Sequence, residues 1–344
     1  MPIRYFIFVV ALCLAGASQT AGAMAATAAL DPECVMHMAA TAEGATTLGQ
    51  VRQRCAATPQ DPVTAASEQS GKVNQQHVRK RLETDRESAA RPFTIMAHKP
   101  NYFLLGAWNE KGWDPDPYRE QSGDPDYQND NVESQFQISL KAPLAIGLFG
   151  DRMDIYGAYT NRSFWQVFNE EYSRPFRETN HEPELWAQFR NDWTIGGFTN
   201  SVNTVGLVHQ SNGRGGELSR SWNRMYASFI FEKGPWVIAV KPWVWLRGDR
   251  DDSDNPDITD YMGHGELRLA YGRNHHVFSL MTRNQVESGF DQGAFELSWS
   301  FPLFGYPYLK GYVQYFNGYG ESLIDYDNKV NRIGVGISLT DWLD

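Results

Sequence analysis

Val330-Asn331-Arg332-Ile333-Gly334-Val335-Gly336-Ile337-Ser338-Leu339-Thr340 alternates in polarity from Arg332 onward. Side chains of a strand point to opposite faces in turn. Ile333, Val335, Ile337 and Leu339 therefore share one face, and Arg332, Gly334, Gly336, Ser338 and Thr340 share the other. A soluble β-sandwich and a membrane barrel both produce such a run. The composition separates them: aromatics make up 13% of the chain, with 11 Trp and 16 Tyr, yet the mean hydropathy is −0.49. Aromatic girdles outside and polar residues inside give that combination in a wide barrel.

Short alternating runs broken by Gly, Asn, Asp and Pro recur from Phe93 onward. They predict strands over 99–108, 132–144, 153–166, 180–192, 199–211, 221–233, 236–248, 258–273, 275–287, 292–304, 307–318 and 329–342. That makes twelve, an even number as single-chain outer-membrane barrels require. Beyond the first residues no window approaches the roughly 18–20 apolar residues of a spanning helix, so a membrane crossing must use a closed barrel. The expected fold is all-β, a twelve-stranded antiparallel transmembrane barrel over 93–344 with an N-terminal periplasmic extension.

The chain begins as an export signal: Arg4, an apolar run over 5–16, then small residues ending Ala21-Gly22-Ala23, which sets residues 1–23 apart. Cys13 falls within it. Cys34 and Cys55 remain, and two cysteines in an exported segment most simply form one disulfide, worth roughly 3 kcal/mol if unstrained. Residues 24–92 are rich in Ala, Thr, Gln and Ser, with a helical charged run over 78–87 and too few large apolar residues for much of a core. They read either as a periplasmic extension pinned by the disulfide or as a disordered leader. The formal net charge of −10 and the lack of a basic stripe exclude nucleic acid as a partner.

Chemistry concentrates in Leu207-Val208-His209-Gln210-Ser211-Asn212-Gly213-Arg214 and Ser219-Arg220-Ser221-Trp222-Asn223-Arg224. His209 and Ser211 are two apart and share a strand face, so the imidazole can reach the hydroxyl. Asn223, fourteen residues after His209, lies on the next run, where an antiparallel partner brings its amide to the far side of the ring. Orienter, base and nucleophile are the groups of a serine hydrolase. Ser221, Asn223, Met225, Ala227, Phe229 and Phe231 form an apolar stripe, which puts Asn223 on the lipid side. Polar groups there are costly except near the interface, so the three should lie at the rim of the apolar band, where phospholipid esters are found.

The same two motifs resemble the signature of the outer-membrane phospholipase A family. Pro175-Phe176-Arg177-Glu178-Thr179-Asn180, Lys241-Pro242-Trp243 and Asp254-Asn255-Pro256-Asp257-Ile258-Thr259 support the resemblance, which covers roughly residues 90–344. It implies calcium-dependent hydrolysis of phospholipid acyl esters in the outer membrane of a Gram-negative-type envelope, by a barrel activated as a homodimer. It further implies Ser211 as nucleophile, His209 as general base, Asn223 as orienter and the Gly213 N–H as oxyanion donor. Calcium ligands implied are the Arg214 carbonyl, the Ser219 hydroxyl and, from the second subunit, the Ser173 carbonyl, with a further calcium position at Asp254. Asn161 stands where the family uses a glutamine at the dimer interface, and the chain ends Trp342-Leu343-Asp344 rather than on an aromatic residue.

Other features read as structural. His275 and His276 are adjacent and so point to opposite strand faces, which suits a hairpin turn better than a metal pair. The acids between Asp249 and Asp260 lack the pattern of an EF-hand loop. A soluble esterase should carry Gly-x-Ser-x-Gly at a strand-to-helix elbow, which is missing. A catalytically silent porin-like barrel is the alternative, yet it would have no use for His, Ser and Asn on the lipid face.

Overall fold

The computed structural model describes residues 77–246, 254–284, 286 and 288–343. The export signal, Cys34 and Cys55 lie outside them. Twelve long strands form the wall: β1 (Asn101–Asn109), β2 (Val132–Gly147), β3 (Met153–Trp165), β4 (Phe176–Arg190), β5 (Phe198–Ser211), β6 (Ser221–Lys233), β7 (Trp236–Trp245), β8 (Gly265–Arg273), β9 (His276–Arg283), β10 (Ala294–Leu303), β11 (Tyr306–Gly318) and β12 (Val330–Thr340). Each pairs antiparallel with its sequence neighbour, and β12 pairs with β1, setting Ile333 against Trp108 and Ser338 against Tyr102. The sheet closes on itself and leaves the wall no free edge. Two-residue strands at Met96–Ala97 and Thr194–Ile195 add antiparallel pairing to β2 and β5.

All twelve expected strands are present. One needs correction: the run 258–273 is not a single strand, since Ile258–Met262 forms a short helix and β8 starts only at Gly265. Ile258, Thr259 and Met262 are buried under the barrel mouth, and the helix stops where Gly263 takes φ +65°. The turn at Asn274 and His275, both at positive φ, joins β8 to β9 as a tight hairpin.

Alternation sorts the two faces as expected. On β12, Arg332 and Ser338 are 0% exposed while Ile333 and Leu339 are 42% and 63% exposed. Leu105, Leu144, Leu185, Leu207, Met225, Val240 and Leu297 extend the exposed apolar surface around the wall. So wide a band belongs in lipid.

The interior is polar and tied together. Arg177 is fully buried and bidentate to Glu133, with Nε–Oε2 2.9 Å and Nη2–Oε1 3.0 Å, and it also bonds Asp325. Gln135 and Gln166 donate to the same Glu133 carboxylate at 3.0 and 2.9 Å. Arg332 is likewise paired with Glu321 and Gln314. Below them lies a cavity of about 370 Å³, lined by Lys99, Glu182, Glu184, Arg224 and Lys241 among others.

Connections at one end are short, as at 234–235, 274–275 and 304–305; at the other they are long, as at 110–131, 166–175, 212–220 and 319–329. Bacterial barrels keep short turns in the periplasm and long loops outside, which orients this one. A helix, α1 (His77–Ala89), packs at the short-turn end within the same compact unit as the strands. It realises the helical reading of 78–87 and is held by polar contacts: Arg81 donates to the carbonyls of Ala97 and His98, Asp85 pairs with Lys141, and Arg86 bridges Asp151 and Asp154.

Candidate active site

The β5–β6 register sets His209 against Asn223 and Ser211 against Ser221. On the outer face His209 Nδ1 lies 2.9 Å from Asn223 Oδ1. An amide oxygen only accepts, so Nδ1 carries the ring proton and Nε2 keeps its lone pair. Ser211 follows on the same face, about 6.7 Å along the strand by the ordinary rise. Its hydroxyl makes no hydrogen bond to the ring in this conformation, nor to any other side chain among the described residues. The expected orienter and base are thus in contact, and the expected nucleophile stands beside them. Leu207 and Met225 on this face are 50% and 45% exposed, whereas Val208, Trp222 and Arg224 point inward and are buried.

The turn after β5 is fastened by Asn212. Its Oδ1 accepts from the Arg214 N–H at 3.2 Å and the Arg220 N–H at 3.0 Å, and its Nδ2 donates to the Leu218 carbonyl at 2.8 Å. Arg214 reaches across to β4, donating to the Arg177 carbonyl at 2.6 Å and pairing with Glu178 at 3.3 Å. Gly213, between these anchors, takes φ +66°, a conformation that favours glycine, and its N–H finds no acceptor among the described residues. An amide presented in this way suits an oxyanion.

Of the expected calcium ligands, Ser219 and Asp254 meet directly, hydroxyl to carboxylate. Asn255 reinforces the junction by accepting the Ser221 N–H at 2.9 Å. The loop carrying Asp254 is fastened in turn by Tyr326, which donates to Asp257; burial and that neighbouring carboxylate push the phenol up from its ordinary value. Arg214 lies in the same turn as Ser219. Ser173 sits apart, exposed on the 166–175 turn at φ +58°, and no hydrogen bond joins it to the other three. No group of three or more His, Cys, Asp or Glu clusters among the described residues. A carboxylate, a hydroxyl and nearby carbonyls are hard oxygen donors that fit calcium.

A groove of about 800 Å³ on the outer wall is lined by Leu140, Leu144, Tyr159, Leu185, Leu207 and Leu246 together with His209 and Asn223. Sequence reasoning missed Asn212 and Asn255 as loop anchors, and it missed His181 on β4, which the register sets opposite Ser211. The alternation of β4 was enough to put His181 on the outer face; its partner was not readable without the register.

A family model for phospholipase A1 matches residues 78–339. The chain belongs to the phospholipase A1 family. It is 38% identical over 252 residues to a phospholipase A1 of Klebsiella pneumoniae, covering 73% of this chain and 84% of that one. The outer membrane phospholipase A structure from Escherichia coli superposes with a TM-score of 0.67 at 37% identity, over 73% of this chain and all of that chain. That protein has also been solved as an active-site variant with alanine in place of an asparagine. A calcium-bound dimer of the outer membrane phospholipase from Salmonella typhi gives a TM-score of 0.65 at 35% identity, over 74% of this chain and 96% of that one. Family membership and the closed, lipid-facing wall together make this chain a phospholipase of the outer membrane.

Proposed function

We propose that the chain hydrolyses the acyl esters of outer-membrane phospholipids, with A1, A2 and lysophospholipase activity, through Ser211, His209 and Asn223, with calcium and as a homodimer. The observation that carries this reading is the His209 Nδ1–Asn223 Oδ1 bond of 2.9 Å on the lipid-facing wall, with Ser211 next on the same face. Asn223 holds the imidazole in the tautomer whose Nε2 takes the Ser211 proton as Oγ adds to the ester carbonyl. The Gly213 N–H receives the oxyanion, and His209 then returns the proton to the departing lysophospholipid oxygen. A neutral amide stabilises imidazolium less than a carboxylate does, which leaves more of the work to the oxyanion site. The groove beside His209 is lined by Leu140, Leu144, Leu185 and Leu207, an apolar surface that suits an acyl chain.

The Arg214 carbonyl and the Ser219 hydroxyl would hold calcium, with the partner subunit supplying the Ser173 carbonyl, and Asp254 would mark the further calcium position. When bound, the ion supplies positive charge where the oxyanion forms. The calcium-bound dimer of the Salmonella typhi relative supports both partners. Asn161, on the outer face of β3, is the amide assigned to the dimer contact. On the same reading the chain is exported, losing residues 1–23 and closing Cys34 to Cys55. The packed ion pairs of the interior speak against the porin-like alternative.

Ser211→Ala should lower calcium-dependent fatty-acid release from phospholipid micelles by about 10⁴-fold or more while the barrel stays folded. Unchanged release would remove the triad. In the same assay a chelator should silence the wild-type chain, and equal rates with chelator and with millimolar calcium would remove the metal.

A further inference from the structure

Ser211 has an imidazole on each side. His209 precedes it on β5, and His181 of β4 stands directly across from it in the antiparallel register. Cross-strand partners share a face with Cβ atoms about 5 Å apart, so His181 belongs to the nucleophile's immediate surroundings. The same row continues to Asn161 on β3, the Cα partner of His181.

The His181 ring is held in place. Its Nδ1 lies 2.5 Å from the Tyr159 hydroxyl, and the two rings stack at 28° with centroids 6.1 Å apart. A phenol on a lipid-facing wall has no other partner here, so the arrangement that satisfies it has Oη donating to Nδ1. In the neutral ring the proton then sits on Nε2. That edge is turned toward the oxyanion turn: a Cβ built at Gly213 would stand 3.4 Å from both Nε2 and Cδ2 of His181.

We propose that His181 is a second oxyanion donor, its Nε2–H joining the Gly213 N–H on the ester oxygen while Tyr159 fixes the ring. The proposal rests on the Ser211 reading above. As Ser211 Oγ bonds to the carbonyl carbon, the carbonyl π pair moves onto oxygen and the Ser211 proton moves to His209 Nε2. The oxyanion accepts hydrogen bonds from Gly213 and His181. Its collapse restores the carbonyl and expels the lysophospholipid oxygen, which takes the proton back from His209. His181 keeps its own proton throughout. This division of labour gives one imidazole to proton transfer and the other to charge stabilisation.

The test uses the full chain with calcium on phospholipid micelles. His181→Phe keeps the ring and the stack on Tyr159 but removes the N–H. It should lower kcat by about 100-fold with KM changed less than about twofold. His181→Gln returns an N–H donor and should recover about tenfold of that loss. Wild-type kcat in His181→Phe, an equal fall in Phe and Gln, or a loss carried by KM alone would each overturn the proposal, the last by showing that His181 only seats lipid. Should His181→Phe not fold, Tyr159→Phe decides: releasing the ring should lower kcat by about tenfold, and wild-type kcat overturns the idea. Ser211→Ala run alongside separates the two readings. If it stays active the triad falls, whereas an inactive Ser211→Ala beside a fully active His181→Phe removes only the role of His181.

Discussion

The two faces of β4 follow opposite rules. Inward, Glu178, Asn180 and Glu184 are buried in hydrogen bonds and ion pairs, Gln188 is buried beside them, and Arg177 at the start of the strand sits among Glu133, Asp325, Trp113 and Phe164. Outward, Leu185 and Phe189 meet lipid, and the one ionisable side chain on this stretch of the outer face, His181, sits beside the candidate nucleophile. Inside the wall polarity is structure, because charges such as Arg177, Glu133, Glu178 and Glu184 have partners close by. Outside, a polar group lacks such compensation and persists where it has chemistry to do.

The largest effect should come from the inner face. Arg177→Ala would strand Glu133 and Asp325 as buried carboxylates without their cation. It should destabilise the barrel by about 3–5 kcal/mol, read from urea unfolding in lipid vesicles. A change below about 1 kcal/mol would mean that the pairs break even against solvation and that the contrast between faces is overdrawn. Next comes the outer face: Leu185→Lys should cost about 2–4 kcal/mol in the same measurement. No change there would place Leu185 outside the hydrocarbon.

The smallest effect concerns the short-turn end. The Arg86 guanidinium holds the Asp151 carboxyl below its ordinary value. A carboxylate depressed in the folded state contributes stability that is present above the unfolded value of about 4 and is lost as pH falls through the folded one. The melting-temperature gap between the wild-type chain and Asp151→Asn should therefore be full near neutrality and close below about pH 4. A gap independent of pH would assign the seat of α1 to Asp154 alone.

Much of this was legible because period-two alternation needs no partner to be read. The strand count, the face of each residue around Ser211 and the placement of His209 with Asn223 follow from local pattern and from the short spacing across one turn. The helix Ile258–Met262 escaped because five residues with apolar Ile258 and Met262 run straight into β8 and look like its beginning. The interior pairs escaped for a different reason: Arg177 finds Glu133 across 44 residues and Asp325 across 148, separations that no periodicity encodes. His181 escaped with them, since its pairing with Ser211 depends on the β4–β5 register, hidden behind the turn at 191–197.

The junction of β12 with β1 gives the wall a seam whose two lips are the first and last long strands. Asn101 donates its N–H to Thr340 Oγ1 at 3.0 Å across 239 positions of sequence. The hoop is shut only when both of these strands are present. Until then both lips present unpaired backbone, which in hydrocarbon is intolerable. Pairing of the two lips is therefore part of what fits the wall to lipid, and the lipid-facing row around Ser211 has its setting in the closed hoop.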